Sequence, residues 1–240
     1  MFDDALLLDY MQNFYGYGNF QGDYWFVGKE EGSGKSFEEI HKRLLIWHMR
    51  GRNTLEDLRE YHYAIELTEC FNERAKIQNT WSKLIYILWI AHGRIPSVED
   101  IRLYQRMKLG GSQSRHCLIE LLPLPSPSTS HWLYSDYSQL HVLATRSDYY
   151  QKIAPIRAKY LQESVRQHQP KAVVFYSASK HYRQWWEQIA DMAFSGGNPA
   201  TGTNGKTLFV IMKHPVAHGV TNEYFQQVGQ KIRTLISSSP

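Results

Sequence analysis

The stretch Tyr24-Trp25-Phe26-Val27-Gly28-Lys29-Glu30-Glu31-Gly32-Ser33-Gly34 leaves few options for the fold. Bulky residues suited to a buried strand run into a glycine, then a lysine, two adjacent carboxylates and two more glycines. Ser36-Phe37-Glu38-Glu39 follows with the Ser-x-x-Glu spacing of a helix-capping box. The reading is strand, tight polar turn, helix. In open α/β sheets ligands sit at such strand ends, where backbone N–H groups and the helix dipole point. A solvated turn with harmless charges is the alternative. Gly28 to Ser36 imitates a phosphate-binding P-loop, but one residue too many separates Gly28 from Gly34-Lys35-Ser36, and carboxylates fill the loop. Gly205-Lys206-Thr207 has Ala200 where the upstream glycine belongs, so neither stretch reads as a triphosphate site.

Three more apolar runs of strand length follow: 116–121, 172–176 and 207–212. Helical periodicities separate them, at 4–14, 150–168, 179–192 and from Thr221 onward. Alternation of this kind predicts an α/β protein with a central four-stranded parallel sheet and helices on both faces. Between the first two strands lie four helix patterns, so 36–109 is expected to be a helical insertion within a single domain spanning 1–240. Residues 15–20 and 195–204 read as loops, and Ser237–Pro240 as a frayed tail.

Composition narrows the class. Charged residues make up 21% and aromatics 14% of the 240 residues, as in a globular protein with much to bury. The start lacks a basic signal-peptide region and no apolar run is long enough for a bilayer, so a soluble cytoplasmic protein is expected. Two cysteines, Cys70 and Cys117, cannot supply a Cys-x-x-Cys metal site or an iron–sulfur cluster. No cofactor or metal is expected. The net charge of +4 is unevenly spread: residues 1–150 carry 16 Lys and Arg against 19 Asp and Glu, and residues 151–240 carry 11 against 4. A basic last third suits a polyanion partner.

Three of the strands end in distinctive polar turns: Gly28 to Gly32, Glu120 with Pro123-Leu124-Pro125-Ser126-Pro127, and His214-Pro215. In a parallel sheet these turns share one edge. Their order resembles the uracil-DNA glycosylase superfamily, over roughly residues 20–237 outside the helical insertion. That family has an Asp or Asn turn after one strand, an Asn followed by prolines after a second, and His-Pro-Ser after a late one. Here Glu30 and Glu31 stand at the first position, Glu120 replaces the pyrimidine-reading Asn, and His214-Pro215-Val216 replaces His-Pro-Ser. The resemblance implies hydrolysis of the N-glycosidic bond of a base flipped out of DNA, as in DNA repair, with DNA as partner.

Under that reading Glu30 orients water or steadies positive charge on the sugar, and His214 hydrogen-bonds the departing base. Gly28, Glu31, Glu120 and Ser126 line the substrate site, and Phe37, or Tyr15 or Tyr17, stacks on the base. The alternatives stay open. Glu30 can pair with Lys29 or Lys35, and His214 can be a structural ring before Pro215. Glu120, in an apolar strand, needs a partner: Arg115, Lys213 or a ligand. A non-catalytic nucleic-acid- or nucleotide-binding protein of the same fold is the other function class. A metal hydrolase using Glu30, Glu31, Glu120 and His214 is a third.

Overall fold

The computed structural model describes residues 1–237; residues 238–240 of the expected frayed tail lie outside them. In chain order, α1 (Asp4–Asn13), β1 (Gly16–Gly18) and β2 (Tyr24–Gly28) precede α2 (Phe37–Met49). Then come β3 (Leu55–Glu56), α3 (Leu58–Ala64), α4 (Asn79–Ala91) and α5 (Val98–Met107). The second half holds β4 (His116–Glu120), α6 (Tyr134–Tyr137), α7 (Arg146–His168) and β5 (Ala172–Phe175). It closes with α8 (Lys180–Ala190), β6 (Ala200–Asn204), β7 (Thr207–Ile211) and α9 (Asn222–Ser237).

The four apolar runs lie side by side as β4-β2-β5-β7, every neighbouring pair parallel. Their residues are buried almost throughout, as strands covered on both faces must be. The class is therefore α/β, but the sheet is not four-stranded. It is mixed and seven-stranded, in the order β3-β1-β4-β2-β5-β7-β6. Strand β1 runs antiparallel to β4, and β3 pairs with β1. Both fall where a loop and a helical region were expected. Strand β6 runs antiparallel to β7 within the expected 195–204 loop. These additions are short or polar: Gly-Tyr-Gly, Leu-Glu and Ala-Thr-Gly-Thr-Asn. Each is formed by pairing to a neighbour rather than by its own apolar pattern.

The 36–109 region holds four helices and the two-residue β3. Ser36 caps α2 by accepting from Glu39 N, but Glu39 does not complete the box: its carboxylate reaches past Ser36 to the amides of Gly34 and Lys35. Ser97 and Asp100 form a full capping box on α5. Helix α9 lies against α4, with Gly229 over Ile90, where a β-carbon would collide. Among the described residues no helix is long and apolar enough to cross a membrane.

Candidate functional site

Register decides what meets at the C-terminal edge of the parallel strands. Gly28 ends β2 directly opposite Glu120, the last residue of β4. On the other flank Phe175 pairs with Val27, so Tyr176 stands beside Gly28. Glu120 and Tyr176 thus come from the two strands flanking β2 and meet over a residue with no side chain. The Tyr176 phenol donates to Glu120 Oε1 at 2.5 Å. A β-carbon on Gly28 would fall on Glu120 Oε2 and the Tyr176 hydroxyl. His214, beyond β7, brings its ring to 5.9 Å from that of Tyr176.

Glu120 is partly exposed as a residue, yet its Oε2 is buried and has no hydrogen-bond partner. Burial pushes its carboxyl up to about 8; Tyr176 lowers it, Glu31 and Glu30 raise it further, and Lys29 opposes them. At neutral pH Glu120 is mainly the neutral acid. Its anticipated partners are engaged elsewhere or absent: Arg115 pairs with Asp23, and Lys213 makes no ion pair among the described residues. His214 is held below the ordinary imidazole range by burial and then by Lys29, so the ring is neutral. Its Nδ1 accepts the Val216 amide at 3.4 Å, which leaves the proton on Nε2.

The adjacent carboxylates part company. Glu30 pairs with Arg146 of α7, neither Lys29 nor Lys35, and its side chain is 6% exposed. Burial raises its pKa, with Arg146 and Lys29 opposing. Arg146 also donates to Ser126 Oγ at 2.9 Å and lies over the Trp132 ring. Glu31 turns the other way, onto Arg43 of α2 at 3.0 Å, with Tyr17 and Ser33 hydroxyls donating to it. Burial would raise Glu31, but Arg43, His62 and these hydrogen bonds hold it below the ordinary carboxylate range. Two arginines on two helices therefore resolve the repulsion expected of a Glu-Glu turn.

Backbone bonds lock the two turns together. Leu121 N and Leu122 N donate to Gly28 O and Lys29 O, and Ser126 N donates to Glu31 O. The buried Arg157 guanidinium bonds Leu121 O, Glu120 O and Met11 O, and lies 3.7 Å over the Tyr15 ring. Tyr15 and Tyr17 are core residues, and Phe37 packs among Phe2, His41 and Tyr137. The rings singled out for base stacking are engaged in the protein's own packing, and Tyr176, 5% exposed, is buried as well, against Glu120 and His214.

Gly28, Glu120 and His214 share one locality with Tyr176, and Glu30 and Ser126 share Arg146. Among the described residues no group of three or more His, Cys, Asp or Glu is arranged to hold a metal ion, so Glu30, Glu31, Glu120 and His214 do not form a ligand set. Sequence reasoning missed Tyr176, Arg146, Arg43 and Arg157. Only Tyr176 carried a signal, as the polar-tipped end of an apolar strand. In comparisons with known proteins, no family model and no curated protein matches the chain.

Proposed function

We propose that the protein is a uracil-DNA glycosylase-like hydrolase that takes a base extruded from DNA at the Gly28–Glu120–Tyr176 edge. The observation that carries the reading is the unpartnered Oε2 of Glu120, held over Gly28. A neutral carboxylic acid offers one O–H donor and one carbonyl acceptor. That is the same pair as the amide of the Asn it replaces in the resembled family. It matches a –CO–NH– edge, the edge that deamination creates in uracil, hypoxanthine and xanthine. Cytosine and adenine present the opposite arrangement at that edge.

The remaining groups suit the bond to be broken. As the C1′–N bond opens, its electron pair goes to the base. The Nε2–H of neutral His214 donates to the base oxygen that gains charge. Water adds its hydroxyl to C1′ and gives its proton to Glu30, whose proton affinity is raised by burial against the opposing charge of Arg146, the residue that fixes its position. Lys29 and Lys213 follow two of the strand ends and Lys180 opens α8; none makes an ion pair within 4.0 Å among the described residues, and all three suit phosphates.

One observation favours a second reading. The Glu30–Arg146 pair is buried and continuous with Ser126, as a purely structural ion pair would be. A non-catalytic protein of the same fold would bind DNA and leave the base in place. Duplexes carrying a single uracil, hypoxanthine or xanthine, scored for abasic sites after alkali, separate the two. Excision of at least one of these, with cytosine and adenine spared, supports the hydrolase. Binding without excision supports the second reading.

A further inference from the structure

A cavity of about 700 Å³ opens at the opposite edge of the sheet, between the first residues of β2 and β4 and the C-terminal ends of α4 and α5. This is the size of a small-molecule site. Its walls are aromatic, with Tyr24, Trp89 and Tyr104, and Arg94, Lys108 and Arg115 line it as well. Arg115 pairs with Asp23, but Arg94 and Lys108 have no carboxylate partner among the described residues. The acid in the lining, Asp57, is occupied: its carboxylate accepts from the amides of Ser112 and Glu60 at 2.9 and 3.1 Å.

A proton count at the base of the cavity adds a donor. His116 is 1% exposed, and its Nε2 accepts the Gly110 amide at 3.0 Å. Burial pushes its pKa down to about 4, so the ring is neutral and its one proton sits on Nδ1. Nδ1 lies 3.4 Å from the Tyr104 hydroxyl, so the imidazole is the donor and the phenol oxygen the acceptor. Tyr104 stays protonated, because burial raises it to about 12. Its own hydrogen is therefore free for an acceptor other than His116, and Tyr104 lines the cavity.

We infer that this cavity binds a nucleoside monophosphate, the aromatic ring against Trp89 and Tyr104, the phosphate at Arg94 and Lys108, and the Tyr104 hydroxyl donating to the ligand. Two cations lacking carboxylates call for a dianion rather than a single carboxylate, and the aromatic lining, with Trp89 and Tyr104 edge to face at 78°, suits a planar ring laid against one of their faces. The site stands apart from the Gly28–Glu120 edge and does not depend on its chemistry.

The test is calorimetric titration of the full chain with AMP, adenosine and inorganic phosphate. AMP should bind more tightly than either fragment. The double variant R94A/K108A should weaken AMP about tenfold or more and bring it close to adenosine, with the melting temperature unchanged. Y104F, which removes only the hydroxyl, should weaken AMP several-fold. No heat with AMP overturns the inference. So does AMP affinity that is the same in the wild type, R94A/K108A and Y104F.

Discussion

Glu120 and Tyr176 meet across β2, the phenol donating to the carboxyl at 2.5 Å over the bare backbone of Gly28. Glu120 and Gly28 end β4 and β2 and Tyr176 follows β5 directly, so the contact exists only if the register of these three strands is kept. The glycine is demanded by space.

Gly28→Ala tests that demand. The added methyl falls on the far ends of the Glu120 and Tyr176 side chains rather than on backbone, so their contact must shift to admit it. We expect the protein to remain folded by circular dichroism and its excision of the favoured base to fall at least about tenfold, a barrier cost of roughly 1.4 kcal/mol. An alanine variant as active as the wild type would show that nothing is read at this position.

The Glu120 carboxyl makes stability pH-dependent. Its pKa rises from the ordinary 4.5 when unfolded to about 8 when folded. Its favourable contribution is therefore complete below about pH 4.5 and is lost as pH climbs to about 8. Glu120→Gln cannot ionise. Its melting temperature relative to wild type should rise between pH 5 and pH 8 and level off above, by about 2–4 °C for each kcal/mol gained. A difference that does not change with pH would mean that Glu120 is already ionised at neutrality.

The other turn carboxylate has the opposite sign. Glu31 is held below 4.5 in the fold, so its contribution is present above that value and fails as pH falls through its folded pKa. Arg43 is 2% exposed and supplies the counter-charge. Arg43→Ala strands Glu31 among Tyr17, Tyr61 and His62 and should cost about 3–5 kcal/mol in chemical denaturation. A loss under about 1 kcal/mol would mean that Glu31 is solvated or finds another partner.

Much of the scaffold was legible because its signals are local. Strands buried on both faces show as unbroken apolar runs, and Ser97 with Asp100 marks a helix start within four residues. What was illegible is relational. Strand β6 has no apolar pattern and forms because β7 offers an open edge. The partners of Glu30 and Glu31 are 116 and 12 residues away in the chain. Lys29 and Lys35, the obvious cations nearby, are passed over because the two carboxylates turn inward, where α7 and α2 place arginines. Of the site, the strand-end positions of Gly28, Glu120 and His214 were readable. That Glu120 pairs with a tyrosine depends on register, which no single stretch encodes.

DNA binding should track the lysines at the strand ends and at the start of α8. Each phosphate contact contributes a slope of about −0.9 to the logarithmic dependence of affinity on salt. The triple variant with alanine at Lys29, Lys180 and Lys213 should flatten that slope by about 2–3 between roughly 50 and 200 mM salt, and weaken all sequences alike. An unchanged slope would place the DNA on another surface.

The most direct test of the account is single-turnover excision from duplexes bearing uracil, hypoxanthine or xanthine, with Glu30→Gln and His214→Ala beside the wild type. We predict abasic sites from at least one of these bases. Glu30→Gln, which keeps shape and removes the proton acceptor, should lower the rate about 100-fold or more, and His214→Ala about 100-fold, each folded and still binding DNA. No excision by the wild type on any of the three, with Glu30→Gln binding DNA as well as or better than wild type, would contradict hydrolysis and leave a base-binding protein.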